Sequence, residues 1–303
     1  MNDFMTASMQ DFKTRVFGKW ILSGEHAVLR GSPALVFPLY SCFLEFEFYK
    51  AEKKSELELD LLGQHGEEMR LLFWSVLDRA CKMCEIRKSD LSGAIKIKST
   101  IPVGAGLGAS AALCVALGRW FLSLKLIQET EIYEFARSLE NLFHGESSGV
   151  DIAVALCEKG LKFVRDGDRV PLALKWTPRW YLSYSGRRGV TVECVDKVKR
   201  LIEANWKLGS EIDNDMRRSV DLCLEALRCD ETEGTKLLAE ALKLGACCFE
   251  RWGLSSPEHE KELYGAGAIA VKSTGSGGGG YLLSLWTGEP KEKFLRERLI
   301  PCF

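Results

Sequence analysis

The sequence predicts an α+β protein, and three observations carry that prediction. Strand-like runs precede helix-like runs in each half of the chain, where a doubly wound sheet would alternate them. Apolar positions recur every second residue in some segments and at helical spacing in others. No repeat of 20–50 residues is visible. A chain of 303 residues, 46% of them hydrophobic, is long enough for two ordinary domains with full cores.

Phe17 to Ser23 reads as a strand that runs into a turn at Gly24. Ala34 to Tyr49 is a long β-rich run. Its alternation over Phe43-Leu44-Glu45-Phe46-Glu47-Phe48 predicts one buried face. Glu56 to Leu62 alternates in the same way. Glu67 to Ile86 has helical spacing, with Met69, Leu72, Phe73, Val76, Leu77 and Ala80 on one stripe. Ala94 to Lys98 is a short strand. Ala109 to Leu126 reads as an apolar helix and Glu129 to Phe143 as an amphipathic one, followed by a Gly/Ser-rich loop over 145–149. Leu161 to Leu174 predicts two short strands around Gly167.

Thr177-Pro178 is the best boundary, because proline restricts itself and its neighbour. It divides the chain into residues 1–177 and 178–303. The second part predicts a strand at Trp180–Tyr184 and helices at Thr191–Asn205, Ser210–Arg228 and Thr232–Trp252. Two strands follow, Ala268–Lys272 and Tyr281–Trp286, joined by a glycine-rich turn. The apolar stripe with Cys223, Leu224, Leu227, Cys247 and Cys248 reads as core or as a dimer face.

Charged residues make up 27% of the chain and the net charge is -1, so the electrostatic footprint of a nucleic-acid binder is lacking. The amino-terminal residues do not follow the pattern of a signal peptide. Every apolar run is interrupted by Lys, Arg or Glu, which predicts no membrane span. Eleven scattered cysteines fit reduced thiols in a cytoplasm. Cys81 and Cys84 have zinc-pair spacing but no second pair, and they read as part of a helix face.

The stretch "IPVGAGLGASAAL", residues 101–113, places Gly104, Gly106 and Gly108 directly before a good helix start. Glycine is poor inside a strand or a helix. A glycine turn that opens a helix leaves free N–H groups beside the positive end of the helix dipole, and anions bind there. A phosphate cradle explains the glycines. Ser110 falls in the first helical turn, where its hydroxyl reaches a metal held on those phosphates. A plain strand-to-helix turn is the simpler alternative. The Gly-x-x-x-x-Gly-Lys-Ser/Thr and Gly-x-Gly-x-x-Gly patterns both differ from this one.

Three further constellations stand out. Gly18 to Leu35 carries Lys19 on a strand and Glu25-His26 on the turn after it. Lysine pairs with carboxylates or steadies phosphate charge. Read alone, Lys19 is equally a solvated strand residue and His26 a turn residue bonded to backbone. Glu140 to Asp151 joins a helix end, a small-residue loop and a carboxylate at a new apolar segment. Read alone, Asp151 is a helix-start carboxylate and Glu140 a solvated helix residue. Lys272 to Gly280 holds five glycines in the six residues 275–280, between two apolar strands. A loop lying against a ligand or against the first glycine loop explains them better than a linker does.

All four in this order resemble the GHMP kinases, and within them the mevalonate kinases. "GKWILSGEHAVLRGSPAL" is similar to the family's first motif and "PVGAGLGASAA" to its phosphate loop. "HGESSGVD" resembles His-Gly-x-Pro-Ser-Gly-x-Asp, and "TGSGGGG" resembles Thr-Gly-Ala-Gly-Gly-Gly-Gly. The matches run from residue 18 to 280.

The resemblance implies a ribosomal-protein-S5-domain-2-like N-terminal domain and a ferredoxin-like C-terminal domain, with the active site between them. It implies ATP- and Mg²⁺-dependent phosphorylation of the primary hydroxyl of mevalonate. Asp151 matches the catalytic aspartate and Lys19 the lysine beside it. Pro102, Gly104, Gly106, Leu107, Gly108, Ala109, Ser110 and Ala111 match the ATP loop. Ser110 and Glu140 match the magnesium ligands. Glu25, His26, Thr191, Gly277 and Gly278 match the substrate side.

Two residues depart from the family pattern. Ala109 stands for the first serine of the loop, and Ser147 for the proline before Ser148. The latter predicts a less rigid catalytic loop. The rival readings are a GHMP kinase for another acceptor, such as phosphomevalonate, and a catalytically silent ATP-binding regulator. Arg187 and Arg188 are candidates for a second substrate phosphate. The expected partner is a small molecule rather than nucleic acid or membrane, with the chain a monomer or a homodimer.

Overall fold

The computed structural model describes residues 10–53, 55–62, 66–144, 147–290 and 298–303. The chain divides into two compact units, each assembled from separate pieces. The first holds residues through Gly18, Cys42–Val103 and Gly108–Cys157. The second holds Lys19–Ser41, Gly104–Leu107 and Glu158–Phe303. Strands β1 (Phe12–Ser23) and β2 (Ala34–Lys50) each run from one unit into the other.

In the first unit, the later half of β2 pairs antiparallel with β4 (Gly93–Ser99), Leu44 opposite Ser99 and Phe48 opposite Ile95. β3 (Leu57–Leu62) lies parallel to β4, with Leu57 opposite Gly93. The alternation in β2 sorts its side chains. Leu44, Phe46 and Phe48 are buried. Glu45 and Glu47 turn outward to Arg15 and Lys13.

Four helices complete this unit: α1 (Gly66–Met83), α2 (Ala109–Ser123), α3 (Ile132–His144) and α4 (Val150–Cys157). α2 packs against the other three. Leu113 to Leu117 are buried in succession, which is why this helix has no polar face. Trp120 on α2 meets Phe46 and Phe48, with ring centroids 5.4 and 4.9 Å away. The helix stops at Ser123, three residues before the expected end, because Lys125 adopts a left-handed φ of 59°.

In the second unit, the first part of β2 pairs with β5 (Leu161–Phe163), and β5 pairs with β6 (Arg169–Pro171). A separate antiparallel sheet has the order β10-β7-β9-β8, from Leu299–Pro301, Arg179–Tyr184, Tyr281–Trp286 and Ala270–Ser273. Its helices are α5 (Thr191–Ala204), α6 (Trp206–Ala226), α7 (Glu231–Arg251) and α8 (Pro257–Gly265).

Helices α6 and α7 pack together, and α7 and α8 lie on β8. α6 starts earlier than its apolar pattern because the Asn205 side chain caps it, accepting from Leu208 N–H at 3.1 Å. Cys223, Leu227 and Cys248 are buried and Cys247 is exposed, so most of that stripe is core. An aromatic cluster joins Trp20, Phe37, Trp180 and Phe303.

The mixture of sheets and helices is the expected α+β class. α8 and β10 are additions to the sequence-based reading. All eleven cysteines are free thiols. Burial pushes the Cys81 thiol up to about 12 and that of Cys84 up to about 11. Among the described residues, no helix is long and apolar enough to cross a membrane.

Candidate active site

The second unit assembles Lys19, the Glu25-His26 turn and two glycine-rich segments. The backbone N–H of buried Lys19 donates to the Leu107 carbonyl at 3.0 Å. Two residues on, Ile21 N–H donates to Thr274 Oγ1 at 3.0 Å, and Thr274 Oγ1 donates back to the Ile21 carbonyl at 2.8 Å. β1 is thereby tied to the loop before α2 and to the loop between β8 and β9.

Glu25 and His26 are both buried. Lys272, wholly enclosed on β8, donates from Nζ to Glu25 Oε1 and to the Ser273 carbonyl, the latter at 2.8 Å. Its ammonium also sits 5.3 Å from the Phe249 ring centroid. Burial pushes the Glu25 carboxyl upward, and the Lys272 charge pulls it back only in part.

His26 holds a left-handed φ of 55°. Its Nε2–H donates to the Ser276 carbonyl at 2.9 Å. Its ring meets Trp252 edge-on at 5.0 Å. Burial pushes its pKa down to about 4, so it is neutral at pH 7. The carbonyl fixes the tautomer, leaving Nδ1 as a lone-pair acceptor. That atom is buried and has no partner among the described residues.

Gly104, Gly106 and Gly108 have φ of 70°, 80° and 81°. The alternation is therefore a winding turn of left-handed residues, which only glycine adopts at little cost. Gly108 is the N-cap residue of α2. The later glycine segment lies against this loop. A methyl added to Gly280 would come within 3.1 Å of the Ala105 carbonyl oxygen, and one on Gly275 within 3.5 Å of that of Gly106.

Gly277 is buried against Phe249, and Cys194 Sγ donates to its carbonyl at 3.3 Å. Gly278, next to it, is exposed. Thr191, the first residue of α5, places Oγ1 3.4 Å from Ser276 Oγ. The Arg187 carbonyl accepts from Gly280 N–H at 2.7 Å, while its side chain extends outward to Glu258 at 3.7 Å.

Ser110, Glu140 and Asp151 belong to the first unit, along with Pro102 and residues 108–111. Ser110 is in the first turn of α2, one turn before Cys114 on the same face. Glu140, on α3 and 2% exposed, acts on that Cys114 thiol. Burial raises the thiol pKa most, and the Glu140 charge raises it further.

Asp151 is the second residue of α4, half-buried at the positive end of the helix. Ahead of it, Ser147 Oγ donates to Glu140 Oε2 at 2.5 Å and accepts from Gly149 N–H at 3.0 Å. Its own N–H donates to Asn141 Oδ1 at 2.8 Å. Gly145 and Glu146, part of the same motif, lie outside the described residues. Residues 147–149 are thus held by hydrogen bonds in place of a proline ring.

Sequence reasoning placed Lys272 and Ser276 in the glycine-rich segment but gave neither a role. A lysine in an otherwise apolar strand was the available signal for the first.

Residues 72–159 match the GHMP kinases N terminal domain. A mevalonate kinase of Pyrococcus abyssi is 31% identical over 300 residues, covering 90% of this chain and 88% of that one. Among solved structures, L. major mevalonate kinase in complex with R-mevalonate has a TM-score of 0.75 at 21% identity. That match covers 95% of this chain and 89% of the other. Streptococcus pneumoniae phosphomevalonate kinase, in complex with phosphomevalonate and AMPPNP, has a TM-score of 0.72 at 17% identity, with 95% of each chain covered. Both share the fold. The chain belongs to the mevalonate kinase family of the GHMP kinases.

Proposed function

We propose that this chain transfers the γ-phosphoryl group of ATP to the primary hydroxyl of mevalonate, giving 5-phosphomevalonate. The observation that carries the reading is the 31% identity to a mevalonate kinase across 90% of the chain. The four family motifs, intact in their chemistry-bearing residues, support it.

Phosphoryl transfer needs positioning and charge stabilisation more than covalent help. Residues 102–111 supply backbone N–H groups and the α2 dipole to the ATP phosphates. Replacing serine by Ala109 removes a hydroxyl and leaves those backbone donors. Asp151 accepts or orients the proton of the attacking hydroxyl, and Lys19 steadies the charge on the transferred group. Glu25, His26, Thr191, Gly277 and Gly278 form the acceptor side. His26 is neutral with a lone pair on Nδ1, so it accepts a hydrogen bond from a substrate hydroxyl rather than pairing with a carboxylate.

A buried carboxylate at Glu140, oriented by the Ser147 hydroxyl, fits Mg²⁺, which takes hard oxygen ligands. Glu140 and Ser110 would hold it. When bound, it neutralises phosphate charge. Eleven free thiols support a cytoplasmic location, and a monomer or homodimer without nucleic-acid or membrane partners is the assembly we favour. We keep Thr177-Pro178 as the boundary between the family's two domains, on the strength of the proline restriction.

Phosphomevalonate is the second reading, with Arg188 beside the later glycine loop as its candidate, since the Arg187 side chain extends outward to Glu258. ADP release from MgATP with mevalonate, phosphomevalonate, homoserine and galactose as acceptors separates the two. Turnover with mevalonate alone is expected. Turnover with phosphomevalonate alone would discard the substrate and keep the family. ATP binding without turnover on any acceptor would favour a regulator.

A further inference from the structure

Ser147 makes three hydrogen bonds, all within the first unit: to Asn141 through its N–H, and to Gly149 and Glu140 through its hydroxyl. Ser147 and Glu140 are 6% and 2% exposed, so the hydroxyl-to-carboxylate bond is shielded from water. A proline here has neither an N–H nor a hydroxyl, and none of these bonds would survive. A proline ring stiffens the backbone covalently. This serine holds the segment by hydrogen bonds and adds a donor to Glu140, which a ring lacks.

We propose that Ser147 is a positioning residue for a divalent cation held at Glu140. Its hydroxyl fixes the orientation of the carboxylate, and its other two bonds hold the approach to α4, whose second residue is Asp151. The inference rests on the assignment of Glu140 as a magnesium ligand. Partners that hydrogen-bond a ligating carboxylate matter nearly as much as the ligand itself. Their loss typically costs about 10–100-fold in metal affinity or activity.

Calorimetric ATP binding to the full chain, once with Mg²⁺ and once in EDTA, tests this. The readout is the ratio of the EDTA dissociation constant to that with Mg²⁺. Ser147→Ala is expected to lower this ratio about tenfold or more, with ATP affinity in EDTA unchanged. Ser147→Thr keeps the hydroxyl and is expected to keep the wild-type ratio. A merely structural role moves both dissociation constants together, and that result overturns the proposal.

Glu140→Gln separates the two levels of inference. If it collapses the ratio and Ser147→Ala does not, the metal assignment stands and the role of Ser147 falls. If the ratio survives Glu140→Gln, or is near one in the wild type, the metal assignment fails and takes the proposal with it. If Ser147→Ala fails to fold, Ser147→Thr decides. A wild-type ratio there supports the hydroxyl, and a lost ratio overturns it.

Discussion

At Gly104, in the loop before α2, an added methyl group would meet no atom within 4 Å. At Gly277, in the loop between β8 and β9, it would lie 2.7 Å from the Phe249 ring and 2.9 Å from the Leu254 carbonyl oxygen. Both residues have φ near 70°. The first loop is glycine because its backbone winds through left-handed conformations. The second is glycine also because its neighbours press on it. Its root is Lys272, paired in full burial with Glu25, and its tip accepts the His26 proton at Ser276. One loop is open around its glycine, as the proposed phosphate-binding role requires. The other braces the turn that carries the acceptor-side residues.

The brace is where stability is most exposed to substitution. Lys272→Met leaves Glu25 buried without its cation and is expected to cost about 3–5 kcal/mol in urea unfolding. Adding Glu25→Gln to it should recover part of that loss. A cost under about 1 kcal/mol would mean that the pair contributes no more than a surface ion pair.

The next effect is an acid limb. The folded pKa of His26 is about 4, against 6.5 for the free side chain. Between those values the unfolded chain binds a proton that the folded chain does not. Stability therefore falls as the pH drops from 6.5 towards 4, by about 3 kcal/mol in total from this residue. His26→Gln should flatten that limb. An unchanged limb would assign it to other groups.

Substitution at the two glycines sharpens the contrast directly. Gly277→Ala combines a left-handed backbone with overpacking and should cost about 2–3 kcal/mol. Gly104→Ala carries the backbone penalty alone, about 1 kcal/mol. It should nonetheless weaken ATP binding about tenfold, or ~1.4 kcal/mol, because the left-handed conformation the loop needs is disfavoured. If Gly277→Ala weakened ATP binding more than Gly104→Ala did, the division of labour between the loops would be wrong.

Much of the fold was legible because its signals are local. The alternation of β2 and the unbroken apolar run of α2 are written in consecutive residues. α8 escaped because its nine residues are mostly polar, with only His259 and Leu263 buried. β10 is three residues long and exists only through its pairing with β7.

The candidate site divides in the same way. The glycines at 104, 106 and 108 announced an unusual backbone, and their φ angles bear that out. Lys272 read as an ordinary strand residue because its partner, Glu25, lies 247 positions away. At Ser147 the sequence shows a missing ring and conceals a hydrogen bond that folding creates.

The most direct test is mevalonate-dependent ADP release by the wild-type chain and by Asp151→Asn, with ATP binding measured on both. The account predicts wild-type turnover, a loss of about 10²–10⁴-fold in the variant, and equal ATP affinity. Equal turnover in the two proteins would contradict the role of Asp151, and no mevalonate-dependent turnover in the wild type would contradict the proposed function itself.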